Sequence, residues 1–146
     1  MNHLRPTFSR TRPFPGSPWE VLRGVSHAER ERTFSSRYAF ALVLAGEAEI
    51  ESGERRFAVL PGEGALLGPL WPHTSRTLTK TADFIVVQVD AHIVEAARRR
   101  LGLDRASLLT TVHVRDPAAA AAILFYALSS IALRRGSART ATGGGQ

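Results

Sequence analysis

From Tyr38 to Leu44 the chain reads Tyr-Ala-Phe-Ala-Leu-Val-Leu, and a period of two sorts these residues onto two faces. Tyr38, Phe40, Leu42 and Leu44 fall on one, Ala39, Ala41 and Val43 on the other. Both faces are apolar, so this strand is expected to be buried on both sides, as in a sandwich or a small barrel. Shorter runs flank it. Trp19–Val25 reads as a first strand and Ala48–Glu51 alternates apolar with acidic, while Arg55–Leu60, Ala65–Leu67, His73–Leu78 and Asp83–Asp90 complete the set. Turn signals separate them at Ala45-Gly46-Glu47, Ser52-Gly53-Glu54, Pro61-Gly62-Glu63-Gly64 and Gly68-Pro69. Strands this short, punctuated about every 8–12 residues, indicate an all-β fold.

The pattern changes at both ends. Residues 1–18 carry Pro6, Pro13, Pro15, Pro18 and Gly16, which argue against regular pairing and predict an irregular arm. Phe8, Phe14 and Trp19 are aromatic islands that would pin this arm onto a body. Beyond Asp90 the period becomes helical. Ile93, Val94, Ala97 and Leu101 share one face of a helix over 91–101, with Gly102 as its C-cap. A short strand is expected within 110–115. Asp116-Pro117 then opens a second helix, with Asp at the N-cap and Pro at the first helical position, running to about Arg135 and stopped by Gly136. The expected organisation is an arm over 1–18, a barrel over 19–90, a helical segment over 91–136 and a disordered, glycine-rich tail over 137–146.

Composition narrows the function classes. An apolar share of 44% in 146 residues suffices for one core. There is no cysteine, which excludes disulfides and thiolate chemistry. The net charge of +6 comes from 18 arginines and one lysine against 13 acidic residues. The arginines are scattered, whereas a nucleic-acid reader concentrates them in a stripe. The N-terminus has no continuous apolar run of the secretory kind. Ala118–Leu133 is the most apolar stretch, but it is broken by Ser129 and Ser130 and is shorter than the roughly 20 residues of a membrane span. A cytoplasmic protein without a membrane segment is the expectation.

The run Tyr38 to Gly46, then Gly53, Phe57, Leu60-Pro61-Gly62, Leu66-Leu67, Pro69 and Pro72-His73, resembles a cupin. More closely, residues 20 to about 103 resemble the N-terminal effector-binding and dimerisation domain of AraC-type transcription regulators. The resemblance implies a cupin barrel, the double-stranded β-helix or jelly roll, with one or two C-terminal α-helices. Metal-binding cupins place two histidines and a glutamate on one strand and a third histidine on a later one. Here those places fall near Thr33, Ser35 and Ala39, and only His73 matches a ligand. One imidazole cannot hold a divalent metal, so no metal and no cofactor are expected. A large register change would be needed to bring in His27, which lies upstream with Glu29 and Glu31.

A barrel without a metal either fills its lumen with side chains or keeps a cavity for one small ligand. Ala39 and Ala41 are small enough to leave room. Parity puts His73, Ser75 and Thr77 on one face and Thr33, Ser35, Arg37 and Ala39 on another. Arg37 suits an acidic group and Trp71 suits stacking on a ring; surface and core roles are the competing readings for each. The candidate ligand-binding residues are Arg37, Ala39, Trp71, His73 and Ser75. In the resembled regulators the arm can close over the ligand, which makes Phe8 and Phe14 candidate lid contacts.

The second helix is apolar nearly all round. Leu124, Leu128 and Ile131 form an i, i+4, i+7 stripe while Phe125 and Tyr126 sit off it, so a second partner is expected, and a homodimer through this stripe is the reading preferred over cover by a longer protein's remainder. AraC-type regulators read DNA through helix-turn-helix units that follow this domain. No such unit is found in these residues, and no specific DNA binding by this chain alone is expected. The sequence therefore reads as a small-molecule-sensing and dimerisation domain with an effector of open class. No catalytic residue is assigned. The alternatives are a metal-free cupin enzyme, an isomerase or lyase using His73, and a structural cupin with a filled barrel.

Overall fold

The structure is a computed structural model. It describes residues 7–26, 31–33, 35–69, 72–102, 112–122 and 125, with the backbone alone at 7–8 and 31–33. The strands are β1 (Thr7–Thr11), β2 (Trp19–Ser26), β3 (Glu31–Thr33), β4 (Tyr38–Ala45), β5 (Ala48–Ser52), β6 (Arg55–Val59), β7 (Gly64–Leu67), β8 (His73–Thr77) and β9 (Ala82–Val89). Helix α1 (Ala91–Leu101) follows, then β10 (Val112–Val114). Six strands form one sheet in the order β1-β2-β9-β4-β7-β10, and four form a second in the order β3-β8-β5-β6. Every pairing is antiparallel.

The two-faced apolar pattern of β4 has a direct structural cause. On one side Ala39 and Val43 join Ala65 and Leu67 of β7 and Ile50 and Val59 of the second sheet in a cluster between the sheets. On the other, Phe40 and Leu44 pack with Val21, Ile85, Val87 and Val89 on the opposite face of the six-stranded sheet. Val21 and Ile85 are the largest fully buried side chains. Burying each such aliphatic side chain contributes about 1.5–3 kcal/mol, so the central strands carry most of the apolar stabilisation.

The turn Pro61-Gly62-Glu63 docks back on β4. The Gly62 amide donates to the Val43 carbonyl at 2.8 Å and the Val43 amide to Glu63 at 3.0 Å. The β4–β9 register shifts at this point, between Val43 and Ala45. Strand β10 is held at the far edge by its pairing with β7 and by the His113 ring. That ring stacks on Phe57 at 4.6 Å and places Nε2 3.1 Å from a Glu63 carboxylate oxygen.

One expectation fails. Residues 1–18 are not irregular throughout: Thr7–Thr11 pair with Val21–Val25 of β2. The prolines lie at 6, 13, 15 and 18, outside the five residues that pair, and β1 is an edge strand with only one ladder to satisfy. The proline-rich stretch that follows is tied down at its end, where the Pro18 carbonyl accepts from the Asp90 amide at 2.8 Å.

Helix α1 starts and ends where its pattern predicts, and the Gly102 amide closes it on the Arg98 and Arg99 carbonyls. It buries no residue, and Ile93 and Leu101 are 39% and 71% exposed. A second helical stretch over 117–122 opens at Asp116, whose carboxylate accepts from the Ala118 amide at 3.0 Å. Within the described residues no helix is long and apolar enough to cross a membrane. Leu124, Leu128 and Ile131, the helix's expected course to Arg135 and the tail over 137–146 lie outside the described residues.

Gly46 and Gly62 both have positive φ, 74° and 84°. A Cβ at Gly62 would meet nothing within 4 Å, while one at Gly46 would run into the Thr81 carbonyl. Gly62→Ala should therefore cost only the left-handed backbone penalty of about 1–2 kcal/mol. Gly46→Ala should cost clearly more. Chemical denaturation of the two variants checks the order.

Candidate functional site

Between the sheets the chain leaves a cavity of about 270 Å³. Its wall on the six-stranded sheet comes from Leu22, Ala39, Ala41 and Leu67, with Phe84, Val86 and Gln88 of β9. Its wall on the four-stranded sheet comes from Ile50, His73 and Ser75. Arg10, Ser35, Arg37 and Gly68 complete the lining. Space exists here because β4 contributes two alanines, Ala39 and Ala41, to the inner wall. Strand alternation then selects the rest. On β9 the even-numbered residues 84, 86 and 88 line the cavity, while Ile85, Val87 and Val89 pack on the sheet's other face.

A cluster of charge closes one end. Glu20 lies on β2 directly across from Gln88, and its side chain is only 4% exposed. A carboxylate so deprived of water requires compensating partners. It has three: Arg10 Nη1 at 3.3 Å, Arg12 Nε at 3.1 Å and Arg37 Nη1 at 3.6 Å. Arg37 also places Nε 2.9 Å from Asp90, the residue before α1. Three cations thus share two carboxylates, one of them buried, and the cluster stitches β1, the turn before β4 and the end of β9 together.

Arg37, Ala39, His73 and Ser75 all line the cavity. Arg37 already pairs with carboxylates of its own chain. Thr77, on the same parity as Ser75, is not in the lining and bonds Ser26 at 3.2 Å. Trp71 lies outside the described residues, as does the side chain of Phe8. Phe14 is half exposed and packs edge-on against Trp19 at 5.7 Å. The residue that β1 sends into the lining is Arg10. Arg10 and Glu20 were missed because β1 was read as unpaired, although an acid set in the apolar run Trp19–Leu22 was a visible signal. Gln88, in the apolar run 84–89, carried a similar one.

The metal positions implied by the cupin pattern gather around the same space. Thr33 pairs with His73, and Ser35 and Ala39 are in the lining. An imidazole, a hydroxyl and a methyl do not make a donor set for a divalent metal. Among the described residues no three His, Cys, Asp or Glu side chains come together to hold one. His27 and Glu29 lie outside them.

The outward side of the four-stranded sheet carries a smaller polar cleft lined by Glu49, Glu51, Arg56, Thr74 and Arg76. Its ion pairs are cross-strand, Arg56 with Glu51 at 2.9 Å and Arg76 with Glu49 at 3.2 Å. The hydrogen bond and charge of Glu51, with the charge of Glu49, raise the Arg56 pKa further above its ordinary value. This is a solvated ladder that balances its own charge.

Two antiparallel sheets facing one another across this cavity make the barrel a cupin, as the solved structures it resembles bear out. The chain belongs to the AraC-binding-like domain family, whose model matches residues 19–145. No curated protein sequence matches it. Among solved structures, it is similar to a Cupin 2 conserved barrel domain protein from Salinispora arenicola, with 23% identity and a TM-score of 0.50, over 65% of this chain and 84% of that one. It is also similar to a putative mannose-6-phosphate isomerase from Ralstonia eutropha, with 15% identity and a TM-score of 0.53, over 62% and 90%. A third is an HTH_3 family transcriptional regulator from Vibrio cholerae, with 16% identity and a TM-score of 0.51, over 59% and 51%. Identities this low speak for the fold alone.

Glu20→Gln should destabilise the protein by about 1–3 kcal/mol, because three guanidiniums lose their shared anion yet can rehydrate in part. Asp83→Asn breaks the exposed Arg23–Asp83 pair (2.8 Å) and should cost less than about 1 kcal/mol. Urea denaturation measures both. Hydrogen exchange at residues 7–11 should accelerate in Glu20→Gln only.

Proposed function

We propose that this chain is the small-molecule-sensing and dimerisation domain of an AraC-type transcription regulator, with the ligand held in the cavity between the sheets. The observation that carries the reading is an open, partly apolar cavity in a member of the AraC-binding-like family. Specific DNA reading belongs, on this view, to helix-turn-helix units and not to this domain. Arg37, Ala39, His73 and Ser75 are the proposed ligand contacts, and Trp71 is kept as a candidate from its place beside Pro72-His73.

Dimerisation uses the helical segment. Ile93 and Leu101 lie two turns apart on one side of α1 and stand exposed, and Phe125, itself helical, is 74% exposed. Large apolar side chains on a helix face seek a partner. A second copy of the chain is the proposed one, with the stripe Leu124, Leu128 and Ile131 in the same interface.

A metal-free cupin enzyme remains the second reading, favoured by the position of His73 in the cavity wall. An imidazole there could move a proton. Among the described residues no carboxylate shares the lining with it, which weakens that reading.

A thermal-shift screen with sugars, organic acids and aromatic metabolites tests the sensor. A bound ligand raises the melting temperature and is recovered unchanged. Ala41→Trp, which fills the cavity, abolishes the shift. Consumption of the ligand that stops in His73→Ala would transfer the assignment to the enzyme. Light scattering should show a dimer that Leu101→Glu converts to monomer.

A further inference from the structure

We infer that the ligand is an organic monoanion, a carboxylate on an apolar body of about a dozen non-hydrogen atoms, with Arg10 and Arg37 reading its head. The inference rests on the sensing role proposed above and adds the chemical class of what is sensed.

The cavity is polarised along the strands. Three registers fix its axis. Gln88 is level with Glu20 on β2 and Ala39 on β4; Val86 is level with Leu22 and Ala41; Phe84 is level with Gly24 and Val43. From Gln88 to Phe84 the inner wall therefore passes from the charge cluster to hydrocarbon over about 13 Å. A ligand that is polar throughout would leave hydroxyls unpaired against Val86 and Phe84, at a cost for each. A ligand that is apolar throughout would strip water from the two guanidiniums and return nothing.

The sign of the charge follows from the inventory. No acidic side chain is in the lining among the described residues, while two arginines are. Glu20 and Asp90 stand behind those arginines and leave one positive charge in excess across Arg10, Arg12 and Arg37. The Arg37 contact to Glu20, at 3.6 Å, is too long for a hydrogen bond, so its fork has donors left for an incoming carboxylate. Arg10 lines the cavity, is 69% exposed and bonds Glu20 through Nη1, which leaves its other guanidinium nitrogens outside that contact. A bound carboxylate brings the cluster to three cations and three anions. A cationic ligand would raise the excess. The volume sets the size: a cavity of about 150 Å³ holds benzene, so about 270 Å³ holds roughly twice as many atoms.

The test uses matched probes on the whole chain: octanoate against 1-octanol and octylamine, and 4-phenylbutyrate against 4-phenylbutan-1-ol, titrated by calorimetry at low salt. Each carboxylate should bind at least about tenfold more tightly than its alcohol, and the amine should not bind. Added salt should narrow the preference, since Arg10 is exposed. Arg37→Gln should abolish the preference. Arg10→Gln, which leaves Glu20 its contacts to Arg12 and Arg37, should reduce it several-fold. Equal affinity for acid and alcohol, or a preference intact in both arginine variants, overturns the acid assignment. If all three probe types bind alike and lose binding in Ala41→Trp, the sensing cavity stands and only its ligand class falls. If nothing binds the unmodified protein up to millimolar concentration, both fall.

Discussion

The register of β9 against its two neighbours governs the molecule. β9 is paired along its whole length to β2 and from Asp83 to Val89 to β4, so each residue from Asp83 onward is held level with two partners. That fixes which side chains face the second sheet. Slipping by one residue would send Ile85, Val87 and Val89 into the cavity and Phe84, Val86 and Gln88 to the outer face. It would also lift Gln88 away from Glu20. Cavity shape, core and charge cluster therefore share one constraint, and the apolar residues on both faces of β4 and β9 enforce it.

Against that frame the charge cluster is a local departure from what folding alone would choose. A carboxylate in a sheet interior costs more to dehydrate than its ion pairs return, unless those pairs are numerous and well placed. Glu20 has three guanidiniums from two separate segments. Its burial makes sense as the anchor for side chains that face the cavity, holding Arg10 and Arg37 where hydrocarbon packing could not.

Much of this was legible in the sequence, and the limits are instructive. The central strands, the turns at Gly46, Gly53 and Gly62, and the bounds of α1 followed from period-two alternation, glycine chemistry and a helical repeat, all of which act within a few residues. Ala39, Ala41, His73 and Ser75 could be placed toward a common space because strand parity survives without knowing the partner strand. Arg10 could not. Its role depends on pairing between residues about 12 positions apart, set by β2 and unseen in a stretch dominated by prolines. Glu20 presents the same difficulty from the other side: a lone acid in an apolar run signals burial, but its partners sit at 10, 12 and 37, and only the assembled sheet brings them together.

The borders of the two sheets carry one more consequence. In the six-stranded sheet the outermost strands are β1, with Arg10 on it and Pro13 just beyond it, and β10, three residues long and followed by Asp116-Pro117. In the other they are β3, also three residues long, and β6, which opens with Arg55-Arg56. Brevity, guanidinium charge and nearby proline each make a poor template for a foreign strand. Copies of this domain are thereby discouraged from zipping together backbone to backbone into fibres, and encounters between them are directed to side-chain surfaces.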